Sequence, residues 1–99
     1  MDGHATISSD ILARYAGDAA REVDGVRGLV ESPLHRHRGV RIGSDDGRVT
    51  VELHVGVEWG ASIPELGREV QERVAAYLAR MADVHPASVD VIVDEIGVT

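Results

Sequence analysis

The chain has 99 residues, a formal net charge of −7, no Cys and no Phe. A chain of this length makes one domain, over residues 1–99, burying roughly 65% of its unfolded surface. Without Cys there are no disulfides and no thiolate metal sites, and the acidic balance argues against indiscriminate binding of nucleic acid or anionic lipid.

The core has to be aliphatic, since the chain holds 15 Val against one Trp and two Tyr. Val is stiff at its branch point and suits strands. No apolar run approaches the ~18 residues a membrane helix needs, and Met1–His4 lacks the basic and apolar regions of a signal peptide. The expectation is a cytoplasmic protein with no direct membrane insertion.

His4–Ile7 reads as a short first strand. Ser8 or Ser9 caps a helix over Ser9–Asp24, with Asp10 in its positive first turn. Ile11, Leu12, Tyr15, Ala16, Ala19 and Val23 form its apolar face, and Gly25 suits a left-handed cap. Val26–Glu31 reads as a short strand interrupted by Gly28, and Ser32-Pro33 breaks it. Leu34–Gly39 is an irregular loop. Val40–Gly43 is a brief strand, joined by the turn Ser44–Gly47 to a long one.

That long strand, Val49–Trp59, organises the chain. Val49, Val51, Leu53, Val55, Val57 and Trp59 alternate with Thr50, Glu52, His54, Gly56 and Glu58, so one face is core and the other polar. A strand buried on both faces would be continuously apolar, which makes this an antiparallel or mixed sheet covered on one side. Gly56 leaves a gap in the polar face that permits a bulge or a close backbone approach. Ser62-Ile63-Pro64-Glu65 matches a capping box. Ile63, Leu66, Val70, Val74, Tyr77, Leu78 and Met81 then form a buried helical stripe, with Glu69 and Arg73 placed to pair. His85-Pro86 stops the helix. Ser88–Ile96 is the last strand, with Val89, Val91 and Val93 on one face and Asp90, Ile92 and Asp94 on the other. The order β-α-β-β-β-α-β, with two one-sided helices, predicts an α+β two-layer sandwich of split-βαβ flavour.

Three segments, in this order and spacing, resemble the alkaline-shock-protein family of bacterial envelope stress response proteins. They are I-S-S-D-I-L-A-R-Y-A-G-D-A-A-R-E-V-D-G-V-R-G-L at Ile7–Leu29, V-E-W-G-A-S-I-P-E-L-G-R-E-V-Q-E-R-V at Val57–Val74, and the V-x-V-x-V strand at Val89–Val93. The second is close to a Y-G-x-x-I-P-E-V-A-x-x-V-Q-x-x-V pattern. Trp59 stands for the usual Tyr, Gly67 for Ala, Ala82-Asp83-Val84 for T-G-L, and Asp90 where Asn is frequent. The resemblance implies a non-enzymatic, self-associating protein. In some members it also implies docking to a small integral membrane anchor protein at the cytoplasmic face. It brings no catalytic residues and no cofactor.

The residues add candidates of their own. Leu34-His35-Arg36-His37-Arg38 contains a His-x-His pair, but zinc needs a third and usually a fourth ligand, so a solvated loop is the expectation. Val26–Arg48 is net positive while the segments before and after it are net negative. Complementary patches of this kind steer encounter and fix register. Arg36, Arg38 and Arg41 of one copy are therefore expected to meet an acidic face of another, built from Glu52, His54, Glu58, Asp90 and Asp94. Ile92 is an apolar group on that face, joined by Ile96 and Leu29. Single-strand nucleic-acid binding lacks its stacking aromatics. Asp45-Asp46 and Asp94-Glu95 have no partner nucleophile and no pocket, so no enzyme is expected. The other function class open to the sequence is a small regulatory module binding a ligand or a protein.

Overall fold

The computed structural model describes residues 7–31 and 39–97. Helix α1 spans Ser9–Arg21, strand β1 Val26–Leu29, β2 Val40–Asp45, β3 Arg48–Val57, helix α2 Ile63–Ala82 and strand β4 Ser88–Ile96. Of the first strand expected at His4–Ile7, only Ile7 lies within the described residues, and it is not in a strand.

β3 is the hub of the sheet. β2 pairs antiparallel with its first half, from Asp45↔Arg48 to Val40↔Leu53. β1 pairs antiparallel with its last residues, from Leu29↔Val55 to Val26↔Val57. β4 runs parallel along it from Thr50↔Ser88 to Val57↔Ile96. Because β4 overlaps both of the others, β1 and β2 lie end to end along the opposite edge of β3. The sheet is mixed, as the one-sided alternation predicts. The β3-α2-β4 crossover joins immediate neighbours, so no strand splits it.

Local chemistry explains the joints. Asp46 and Gly47 both take positive φ, 54° and 80°, the two-residue D-G hairpin turn that matches strand twist. This lets β2 run on to Asp45, past the expected end at Gly43. α1 starts at Ser8, whose hydroxyl accepts the Ile11 N–H at 3.2 Å. It stops at Arg21 with Glu22 as its cap. Gly25, at φ 94°, instead turns the chain into β1. Ser62 makes no side-chain cap hydrogen bond, so the expected capping box is not formed there. α2 ends on Asp83 in the left-handed conformation, whose N–H donates to the Ala79 carbonyl.

Both helices pack on one face of the sheet. Leu12, Ala16, Ala20, Leu66, Val70, Val74 and Leu78 bury against Val40, Val51, Leu53, Val55 and Val57. Small residues let α1 come close. A side chain on Gly17 would meet Leu29 Cδ1 at 2.9 Å, which puts Leu29 on the inner face and not the outer one. Between the helices, Tyr15 and Tyr77 meet edge to face at 5.7 Å.

Four residues assigned to the core by periodicity are exposed instead: Ile11 (43%), Trp59 (69%), Ile63 (41%) and Met81 (45%). All stand at or beyond the ends of their elements, where no neighbour covers them. β3 ends at Val57, and the Glu58 N–H donates to the Gly25 carbonyl. A turn at Gly60 (φ 88°) follows, so Trp59 never reaches the helix layer.

Candidate functional site

The outer face of the sheet is the one the helices leave uncovered. Cross-strand register sets its layout: Arg41 on β2 stands opposite Glu52 on β3, and Glu52 opposite Asp90 on β4. Arg41, Gly43, Thr50, Glu52 and Asp90 line a shallow depression of about 180 Å³. His54 stands opposite Ile92 in the next row.

The register then shifts by one residue on β4, so that Val55 pairs Val93 while Gly56 pairs Glu95. The inserted residue is Asp94. A bulge re-aims side chains at the point of insertion, and here it brings the Asp94 carboxylate back to His54. His54 Nδ1 lies 2.7 Å from Asp94 Oδ2, and Nε2 lies 3.0 Å from Glu52 Oε2. A Cβ at Gly56 would meet Glu95 and Val30 only at ordinary van der Waals distances of 3.5–3.8 Å, so space beside the cluster does not require a glycine there.

His54 is therefore not on an open wet face, as the alternation alone predicts. It is 7% exposed. Burial by itself pulls the imidazole pKa down. Hydrogen bonding to Glu52 and Asp94, with the charge of both carboxylates, outweighs that and raises it above the usual 6.5. With both ring nitrogens donating to carboxylates, the imidazolium is the favoured form, and charge-assisted bonds of this kind are short and strong. The cluster ties β3 to β4 on the face opposite the hydrophobic core.

This arrangement suits a structural ion cluster better than a metal centre. The two carboxylates sit on opposite edges of one imidazole, so a single cation could reach only one ring nitrogen and one carboxylate at a time. Among the described residues no group of three or more His, Asp or Glu is placed to hold a metal ion. His35 and His37 lie outside the described residues, as do Arg36 and Arg38.

Of the remaining expected surface residues, Asp90 and Ile92 join the outer-face rows, and Arg41 lies across β3 from them. Glu58 does not. It lies beyond the end of β3, beside Trp59 and Ile63, in a separate hollow that also includes Ile96. Apolar groups thus gather at that end of the sheet. Two of them, Trp59 and Ile63, were hidden in the sequence by core-like periodicity.

Fold and surface define a small α+β domain with helices on one side of the sheet and a charged, partly closed face on the other. The chain belongs to the alkaline shock protein family, described as having a cell envelope-related function, whose profile matches residues 1–98. It is similar to the uncharacterized protein YqhY of Bacillus subtilis, 30% identical over 92 residues that cover 83% of this chain and 68% of that protein. The uncharacterized protein Spy1614 of Streptococcus pyogenes is 28% identical, covering 98% of this chain and 90% of its own length. Among solved structures, MamM-CTD 215-293 superposes with a TM-score of 0.58 at 18% identity, over 89% of this chain and 99% of that one. A manganese form of MamM CTD gives a TM-score of 0.57 at 19% identity, over 89% and 99% of the two chains. At such identity the likeness is one of fold.

Proposed function

We propose that this protein is a non-enzymatic envelope stress response scaffold, which self-associates and is held at the cytoplasmic face of the membrane by a small integral membrane anchor protein. Membership of a family with a cell envelope-related function carries the reading. No helix among the described residues is long and apolar enough to cross a membrane, and in this reading attachment falls to the partner. The outer face supports self-association: Asp90 and Ile92 stay open on it beside the His54 cluster, while Arg36 and Arg38 belong to the net positive segment Val26–Arg48. Contact between that segment of one copy and the acidic face of the next is head-to-tail and propagates.

Light scattering on the purified chain tests this. Assemblies larger than a monomer are expected, and they shrink in about 1 M salt, where charge attraction is screened within ~3 Å. They shrink likewise in Arg36→Glu/Arg38→Glu. A monomer at every concentration sinks the scaffold, and an assembly indifferent to both changes sinks the charge mechanism.

The metal forms among the MamM CTD structures raise a second reading, a metal-responsive regulatory module. The engagement of both His54 ring nitrogens by separate carboxylates disfavours it here, and the depression beside the cluster is shallow and open, unlike the enclosed pocket a ligand sensor uses.

A further inference from the structure

Five large apolar side chains are exposed among the described residues: Ile11, Trp59, Ile63, Met81 and Ile96. Three of them, Trp59, Ile63 and Ile96, gather at one end of the sheet around a hollow of about 290 Å³. Trp59 projects most, at 69% exposed, from a turn that nothing in the fold requires to be aromatic. Its neighbour Glu58 is exposed, and its carboxylate makes no ion pair among the described residues.

On the solvent side of the helix layer lies a groove of about 330 Å³, lined by Ala19, Glu22, Arg73, Ala76, Tyr77 and Arg80. Its cations are poorly satisfied. Arg80 sits over the Tyr77 ring, 5.3 Å from the centroid, and makes no ion pair among the described residues. Arg73 reaches Glu22 and Glu69 only at 3.9 Å each. The groove thus offers an aromatic wall, two guanidinium groups and one acid.

We propose that the Glu58-Trp59 turn of a second copy seats in this groove. The chemistry is complementary at both residues. Trp is the best ring for a guanidinium to sit over, and Arg80, already lying over the Tyr77 ring, can take the indole on its other side. The Glu58 carboxylate brings negative charge to Arg73 and Arg80, whose planar forks suit it. The net charge of −7 and the Glu58 carboxylate beside Trp59 disfavour an anionic lipid surface as the occupant. Turn and groove are different surfaces, so each copy gives a turn to one neighbour and accepts one from another, and the contact propagates head to tail. This shares with the scaffold reading only the identity of the partner. It uses neither the outer sheet face nor the Arg-bearing segment, and a second contact of this kind would cross-link chains formed by the first.

Trp59 is the only tryptophan, so its emission reports the contact directly. In a concentration series of the intact chain, emission is expected to move to the blue and acrylamide quenching to fall as the scattering mass rises. Trp59→Ser and Arg80→Glu should each raise the self-association Kd at least about tenfold, the effect of losing an interface anchor. Arg80→Gln should do so too, which separates loss of the cation from added repulsion. Both positions border the surface, and thermal melts near the parent's confirm that the variants fold. In the Arg36→Glu/Arg38→Glu background, where the first contact is removed, mixing Trp59→Ser with Arg80→Glu should yield discrete pairs that do not grow, because one variant keeps only the groove and the other only the turn. Assembly with fully solvent-exposed Trp emission, unchanged by either variant, overturns this contact and leaves self-association standing. A monomer throughout overturns both, and a blue shift that appears only on adding anionic vesicles overturns the second copy as occupant.

Discussion

His54 should make the domain lose stability as pH rises. In the folded chain its imidazolium donates to Asp94 at 2.7 Å and Glu52 at 3.0 Å, and its pKa is raised. A group with a raised folded pKa contributes its full stabilisation below its unfolded pKa, about 6.5, and loses it as pH climbs through the folded value. A hydrogen bond to a charged group is worth about 1.5–3 kcal/mol in a buried setting. Here the Glu52 and Asp94 side chains are 33% and 36% exposed, and solvent screening reduces the expected contribution to roughly 1 kcal/mol. For a domain of this size that is a Tm change of about 4–8 °C. The assay is a set of thermal melts of the parent and His54→Gln from about pH 5.5 to about pH 9. Other groups titrate in both proteins, so the quantity to follow is the difference in Tm, largest at the acidic end and shrinking with pH. A constant difference would show that the carboxylates do not hold the proton. A difference that grows with pH would show that burial wins and His54 folds neutral.

Three further outcomes follow from packing and backbone geometry. Leu53→Asp places an unpaired charge at a position with 0% exposure, at a cost of several kcal/mol against a total of about 5–15; circular dichroism should show an unfolded chain, and a cooperative melt near the parent's would refute the assignment of that face. Ser8→Ala should cost about 1 kcal/mol because Ser8 caps α1, whereas Ser62→Ala should be nearly neutral because Ser62 caps nothing through its side chain; urea unfolding of the pair distinguishes them, and equal losses would restore the capping box. Gly39→Ala should destabilise by more than about 1 kcal/mol, since Gly39 has φ 87° and a methyl group would come within 2.6 Å of the Val30 carbonyl oxygen; a denaturation midpoint equal to the parent's would count against that placement.

Much of this architecture is legible in local pattern. The alternation at Val51, Leu53, Val55 and Val57 identifies the core face, and all four are buried. The β4 limits, Ser88–Ile96, follow from the same rule and from the stop at His85-Pro86. Periodicity fails where an element outruns its cover. It carries Trp59 one step past the end of β3, and it carries Ile11, Ile63 and Met81 to helix ends, because a pattern of side chains does not record where the opposing layer stops. The capping signature at Ser62 fails for a related reason, since the sequence motif does not dictate how the turn at Gly60 delivers the chain to the helix.

The outer face shows a different limit. Glu52 and His54 are two apart on one strand, and any reader of the alternation places them together. Asp94 is 40 residues from His54 and reaches it only because β4 pairs with β3 in parallel and gains one residue at the bulge. Gly56 stands opposite Glu95 just past the bulge, but nothing at that position says which strand carries the insertion. The bulge has two consequences. It turns the most polar stretch of the central strand into a half-closed ion cluster, leaving Asp90, Ile92 and Arg41 as the open part of that face. It also places Ile96 opposite Val57, next to Trp59 and Ile63. One inserted residue therefore separates a charged sheet face from an apolar end. A chain with two chemically distinct surfaces can meet its own copies in two ways, which is what a scaffold extending in more than one direction needs.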